Sequence, residues 1–212
     1  MAARGSALTL SQLARDAGRR VSEIQRTVAC LLAEGYLTRD RAGVYRLSSK
    51  LYRLAHANPP QRELVARAYP VMADCARVTG ESVHLGVLAE GRLLLVAEAQ
   101  GAGLVRVSLQ MGAALDTAST VSGRILLAFS KDAPKTGVGA RELAAIRRRG
   151  YELAESGHFE GIWDLGVPVL DPGGEAVAAV TSPWLKLRGA KLRWKELLPE
   201  LKRCAARISA QL

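Results

Sequence analysis

Apolar residues fall at helical spacing in two short stretches near the N-terminus, each opened by a polar capping pattern. Thr9 and Gln12 stand three apart, so the Thr9 hydroxyl can accept from the Gln12 backbone while the Gln12 side chain reaches back; a helix is predicted from about Leu10 to Gly18. Ser22 and Gln25 repeat the spacing and open a second helix, which buries Ile24, Val28, Leu31 and Leu32 and ends around Gly35. Two short helices joined by a tight, glycine-containing turn are a helix-turn-helix pattern. Residues 35–47 follow as two alternating runs about another glycine-containing turn, which reads as a hairpin. Leu51, Leu54 and Ala55 mark one more helix. Pro59-Pro60 must end it, because proline lacks the amide donor and drives Asn58 out of helical backbone. The chain is thereby divided into a first domain over 1–48, a linker helix over 49–60 and a larger domain over 61–212.

In the larger domain, residues 61–78 carry Leu64, Val65, Ala68, Val71, Met72 and Cys75 at helical spacing, with Gly80 placed to end the helix. Three β-rich runs over 83–89, 92–99 and 104–109 are separated by short glycine-containing turns and predict an antiparallel meander. Helices are predicted over 120–129 and 140–149, then strands over 165–170 and 176–181 about the turn Asp171-Pro172-Gly173-Gly174. Trp194, Leu197, Leu198, Leu201, Ala205, Ile208 and Leu212 form the apolar stripe of a closing helix. The fold class is α+β.

Composition narrows the function. No apolar run approaches the roughly 20 residues needed to cross a bilayer, and the first residues lack the apolar core of a signal peptide. Cys30, Cys75 and Cys204 are widely spaced and read as small buried hydrophobes in a reducing cytoplasm. His56, His84 and His158 are isolated, without metal-ligand spacing, and no G-x-S-x-G elbow occurs; no catalytic residue, metal or cofactor is expected. His84 reads as a satisfied core or surface histidine. The net charge of +10 is uneven: the first 60 residues carry ten Lys or Arg against four Asp or Glu. Such an excess attracts polyanions and releases counterions from nucleic acid.

The second helix and the hairpin supply the chemistry for that partner. Arg19, Arg20, Ser22, Glu23, Gln25 and Arg26 cluster at the helix start. Gln can bond adenine N6 and N7 together, Arg can bond guanine O6 and N7, and a hydroxyl or amide at a helix start can hold a phosphate. The same residues also suit simple capping and solvation. Arg39, Arg41 and Arg46 would stud the hairpin as a wing beside that helix, lying along phosphates or in the minor groove.

Leu10-Ser11-Gln12-Leu13-Ala14, Ala17-Gly18, Ser22 with Arg26, Glu34-Gly35-Tyr36-Leu37 and Tyr45-Arg46-Leu47 resemble the DNA-binding half of the IclR family of transcriptional regulators. The likeness continues through Thr79-Gly80-Glu81-Ser82-Val83-His84-Leu85, Ser122-Gly123-Arg124-Ile125-Leu126-Leu127-Ala128, Ile146-Arg147-Arg148-Arg149-Gly150-Tyr151 and Val167-Pro168-Val169-Leu170-Asp171. The resemblance implies a winged helix-turn-helix, a GAF-like effector domain, homodimers or homotetramers, a palindromic double-stranded operator and control by a small metabolite that often bears a carboxylate. It places the effector site at Thr117, Ala118, Ser119 and Ser122 before or at a helix start, Asp164 and Gly166 on one strand, and Thr181 and Ser182 on another. Three departures qualify it. The family has a complete helix before the position of Thr9, so the N-terminal domain is expected to lack one, and the alternative is a sensor or dimerisation module that does not bind DNA. Residues 130–140 form a shorter link than usual, and Asp164 would repel an anion unless protonated or paired, so it either points away or meets an effector that carries a donor or a cationic group.

Overall fold

The computed structural model describes residues 7–57, 61–103, 106–131, 136–157, 159–185 and 194–212, and it divides into two units, 1–62 and 63–212. Pro59-Pro60, Leu104, Val105 and His158 lie outside the described residues, as does the side chain of His56.

In the first unit, α1 (Leu10–Asp16) starts where the capping box placed it. Thr9 Oγ1 accepts from the Gln12 amide at 3.4 Å and the Thr9 amide donates to Gln12 Oε1 at 2.8 Å. Gly18, at φ 63°, turns the chain after α1 with backbone that favours glycine. The next helix, α2 (Val21–Ala33), begins earlier than its sequence suggests, because the Arg20 amide donates to Glu23 Oε2 at 2.6 Å; Glu23, not Gln25, is the capping partner. Val28 is buried, Ile24 and Leu32 are half-buried, and Leu31 is exposed at the edge of the stripe rather than buried as expected. The hairpin of β1 (Leu37–Arg39) and β2 (Tyr45–Leu47) pairs Leu37 with Leu47 and Arg39 with Tyr45. Asp40 Oδ1 accepts the amides of Ala42 and Val44 and so closes its turn. Leu8 adds a residue to this sheet, exchanging both backbone bonds with Tyr45. Val28, Leu37 and Tyr45 make a small core, and α3 (Lys50–Ala57) follows the hairpin with Leu51, Tyr52 and Leu54 exposed.

The second unit contains, in order, α4 (Arg62–Thr79), β3 (Val83–Ala89), β4 (Arg92–Ala99), β5 (Ala114–Leu115), α5 (Val121–Phe129), α6 (Ala140–Arg149), β6 (Glu152–Glu155), β7 (Ile162–Leu170), β8 (Ala176–Leu185) and α7 (Trp194–Ser209). Its six strands form one antiparallel sheet in the order β5-β4-β3-β8-β7-β6. The expected third strand of the meander is replaced. Residues 106–109 form no strand, and β5 takes the edge of β4 through Leu93↔Leu115 and Leu94↔Ala114. The alternation at 106–109 is nonetheless physical, since Val107 and Leu109 are half-buried while Arg106 and Ser108 are exposed.

One sheet face is a dry core. Val71, Met72 and Cys75 from α4 and Leu197, Leu201 and Ile208 from α7 pack on Val83, Leu85, Leu165 and Val180. Cys75 and Cys204 meet there through a thiol hydrogen bond, which draws the Cys75 pKa down and, with burial, pushes that of Cys204 up. Cys30, expected to be buried, is exposed on α2. The other face is covered by α5 and α6, where Ile125, Leu126 and Ile146 pack on Leu93 and Ala179.

A β-bulge in β4 joins the two faces. Leu85 pairs with Ala97 and Gly86 with Leu95, so Val96 is an extra residue on β4. Strict alternation would put Glu98 and Leu95 on opposite faces; the extra residue brings both to the side covered by α5.

Leu201 is fully buried between α7 and the sheet, so Leu201→Ala should cost the second unit about 2–5 kcal/mol through lost transfer energy and the cavity left behind. Val78, exposed on α4, should change by less than about 0.5 kcal/mol on the same truncation. Urea unfolding of the two variants checks the difference.

Candidate functional site

Each unit carries one surface with a chemical identity. On α2, Ser22, Gln25 and Arg26 are exposed in the first turns; Arg26 points away from Ile24, Val28 and Leu32, and Gln25 borders that apolar stripe. Arg19 and Arg20 lie exposed in the turn before it, and Glu23 is held back on the Arg20 amide. The hairpin does not present its three arginines alike. Arg39 lies over the Tyr45 ring at 5.4 Å, on the face that Leu37 and Tyr45 bury. Arg46 projects from the opposite face and pairs with Asp40 at 3.6 Å. Arg41 is exposed at the tip.

In the second unit, α5 does not cover its sheet face completely, and a cavity of about 360 Å³ remains. His84 and Thr181 on its floor are cross-strand neighbours, and their row continues beyond the lining to Glu98 on β4 and Gly166 on β7. Gly166 stands in this row because a Cβ there would lie 2.7 Å from both Thr181 Cγ2 and Val121 Cγ1. That absence of side chain lets α5 approach, and Ser122 Oγ reaches Thr181 Oγ1 at 2.7 Å. The walls are apolar: Leu93, Leu95, Val107, Leu109, Phe159 and Ile162. Asp164 joins them two residues from Gly166 on the same strand.

His84 is 2% exposed, and burial holds its pKa below the usual value against the opposing pull of Glu98. Its Nε2 stands 3.6 Å from Glu98 Oε1, too far for a hydrogen bond, and neither atom has a hydrogen-bond partner among the described residues. Ser108 donates to the other oxygen, Glu98 Oε2, at 2.8 Å.

Of the residues assigned to the effector site from sequence, Ser122, Thr181 and Asp164 line this cavity. The others support it or turn away. Thr117 is buried with its backbone against Gly123, the Ala118 carbonyl accepts from Arg124 at 3.1 Å, and the Ser119 amide donates to Asp116 Oδ2 at 2.9 Å. Ser182 is one residue beyond Thr181 and therefore faces the dry core, where its hydroxyl donates to the Ser82 carbonyl. His84 and Glu98 were missed. The available signal was their polarity inside otherwise apolar strands, but the face of Glu98 depends on a bulge that no spacing rule announces. No group of three or more His, Cys, Asp or Glu side chains among the described residues is arranged to hold a metal ion.

A family profile described as "Bacterial transcriptional regulator IclR C-terminal" matches residues 59–137 and 140–210. The chain belongs to the IclR family. The Glycerol operon regulatory protein of Streptomyces griseus is 31% identical over 97% of this chain and 89% of its own length. The KdgR transcriptional regulator of Escherichia coli is 24% identical over 90% and 80%. Among solved structures, the IclR of Thermotoga maritima superposes with a TM-score of 0.71 at 24% identity, covering 98% of this chain and 92% of that one. An IclR homologue of Microbacterium hydrocarbonoxydans complexed with 4-hydroxybenzoate superposes with a TM-score of 0.76 at 24% identity, covering 97% and 91%. The mixed α/β architecture with its six-stranded antiparallel sheet is thus that of IclR structures.

Two predictions follow from the cavity floor. Ser122→Ala leaves the buried Thr181 hydroxyl without its partner and should destabilise the second unit by about 1–3 kcal/mol, whereas Ser122→Ala with Thr181→Val should cost no more than the single change. Urea titration of both variants measures it. For His84, the unfolded chain takes up a proton near the usual 6.5 that the folded chain resists, so more protons are bound on unfolding and stability falls as pH drops below about 6.5. Melting temperatures between pH 7.5 and 5.5 should decline more steeply for the parent than for His84→Gln.

Proposed function

We propose that this chain is a ligand-responsive regulator that binds a palindromic double-stranded operator as a homo-oligomer and changes its affinity when a small molecule enters the cavity against α5. The observation that carries this reading is the exposed Ser22, Gln25 and Arg26 face of α2, beside a basic hairpin, in a chain whose relatives are transcriptional regulators. In this reading α2 enters the major groove, where Gln25 and Arg26 read base edges and Ser22, Arg19 and Arg20 hold phosphates. Glu23 orients the helix start instead of touching bases. Arg41 reaches the backbone or minor groove from the hairpin tip, Arg46 contributes from the outer face after exchanging Asp40 for a phosphate, and Arg39 stiffens the hairpin through Tyr45.

Ser122, Thr181, Asp164 and His84 are the polar contacts of the effector, with Gly166 and the 117–119 loop fixing the approach of α5. The uncovered apolar side chains Leu51, Tyr52 and Leu54 of α3 support self-association. The work of the molecule is then binding in the cytoplasm and not catalysis. A 4-hydroxybenzoate-bound relative supports a small-molecule effector in this fold.

Fluorescence anisotropy with a labelled duplex from upstream of the protein's own gene tests the DNA half. Affinity should fall steeply between 50 and 200 mM salt, by about 10³-fold if six phosphates are neutralised. Arg26→Ala should weaken specific binding by about 5- to 150-fold and leave the melting of the second unit unchanged. Equal, salt-insensitive binding by parent and variant would refute it.

A further inference from the structure

A second, smaller cavity of about 130 Å³ lies at the outer edge of the dry core, and its lining among the described residues comes only from α4 and α7. Cys75 and Cys204 line its buried side, 6% and 2% exposed, with their thiols hydrogen-bonded to one another. Its rim is charged. Arg207 crosses from α7 to Asp74 of α4 at 3.3 Å, Arg77 approaches the same carboxylate at 3.7 Å, and Arg203 pairs with Glu200 at 2.7 Å. Exposed pairs of this kind are weak, so the rim side chains can turn aside and admit a molecule the size of water without any change in the helices.

Packing asks only for apolar bulk at these two positions, whereas two thiols in contact can be oxidised together. The pair is also chemically unequal. The hydrogen bond from Cys204 draws Cys75 toward its thiolate against burial and the Glu200 carboxylate, and Arg203 acts in the same sense as the bond. Cys204, the donor in that bond and itself buried, is held as the thiol. When one sulfur is the nucleophile and a second thiol touches it, the sulfenic acid formed first has its resolving partner already in place, and oxidation stops at a disulfide.

We propose that Cys75 and Cys204 are a peroxide-responsive dithiol that closes to a disulfide linking α4 to α7. The Cys75 thiolate attacks one oxygen of hydrogen peroxide and the O–O bond breaks, giving a sulfenic acid and a hydroxide that takes up the proton Cys75 released. The Cys204 sulfur then attacks the Cys75 sulfur; the S–O bond breaks and the hydroxyl leaves with the Cys204 proton as water. In sum two thiols lose two electrons and two protons, and one peroxide becomes two waters. The new S–S bond, at about 2.05 Å, is shorter than the thiol contact it replaces and draws the two helices together over the cavity. The site is separate from the α5 cavity and from the α2 surface, so it stands whatever effector or operator the chain takes.

The full chain, reduced and freed of reductant, is exposed to a molar excess of hydrogen peroxide, quenched in acid, denatured and labelled with N-ethylmaleimide. Cys30, exposed on α2 away from both, is the internal reference. Before peroxide all three cysteines should take the label; afterwards Cys75 and Cys204 should lose it together, with a peptide cross-link between them, a mass lower by two hydrogens and full recovery on adding dithiothreitol. In Cys204→Ala the reaction should stop at a sulfenic acid on Cys75, trapped by dimedone, and in Cys75→Ala the Cys204 thiol should stay unreacted. If a variant fails to fold, the cross-link map of the parent carries the test. Oxidation of Cys30 while Cys75 and Cys204 keep their label overturns the proposal, as does sulfinic acid at either of them without a cross-link.

Discussion

The second unit depends on how closely α5 can approach the sheet between β7 and β8. Gly166 permits it: the space a methyl group would fill is occupied by Val121 Cγ1 and Thr181 Cγ2, each 2.7 Å from where a Cβ would lie. Close approach places the Ser122 hydroxyl within 2.7 Å of Thr181, and this buried bond fixes α5 at one end of the sheet. Ile125 and Leu126, one turn on, are then carried onto Leu93 and Ala179. The first turn of the helix is pinned over the middle strands, and the edge toward β4 is left uncovered. The cavity is the consequence of a helix held tightly at one place and absent at another.

The uncovered space is polar along one row only. Glu98, His84 and Thr181 are cross-strand neighbours, and each would cost stability in a sheet meant only to be stable. The bulge at Val96 deepens that cost, since it interrupts pairing with β3 and turns a carboxylate inward. A carboxylate oxygen and an imidazole nitrogen 3.6 Å apart, with no hydrogen-bond partner among the described residues, are a local conflict between sequence and stability of the kind that accumulates at binding sites. The opposite face, where Leu201, Ile208, Met72 and Val83 exclude water completely, supplies the stability that tolerates it.

Elements with a single dominant period were legible in the sequence. The stripe of α7, the termination of α4 at Gly80 and the span of α6 with left-handed Gly150 beyond it all follow from spacing and caps. Failures came where a second force competed. Ser22 and Gln25 satisfy the capping rule and Arg20 does not, yet the charged Glu23 carboxylate accepts from the Arg20 amide at 2.6 Å and the helix starts there. Residues 106–109 alternate like a strand, yet β5 holds the edge they would need. Ser122, Thr181 and Asp164, which only the family resemblance singled out, line one cavity, whereas Ser182 lies one step of alternation away on the other face and Glu98 was hidden by the bulge.

The first unit follows a different logic. Its core is only Val28, Leu37 and Tyr45 with half-buried neighbours, and much of its order comes from local bonds: the Thr9 and Glu23 caps, the Asp40 turn and the Leu8 bridge to Tyr45. Local bonds of this kind fix the direction of a helix more than they bury surface. That suits a recognition element, for which Gln25 and Arg26 must be aimed accurately while their side chains stay in water. Arg39 shows the same division of labour. Lying over Tyr45, its exposed guanidinium is tied to the ring and holds the hairpin from which Arg41 projects. Charge counted along the sequence therefore overstates how many arginines can meet a phosphate at once, because folding commits Arg39 to an aromatic ring and sets Arg46 against Asp40 before any partner arrives.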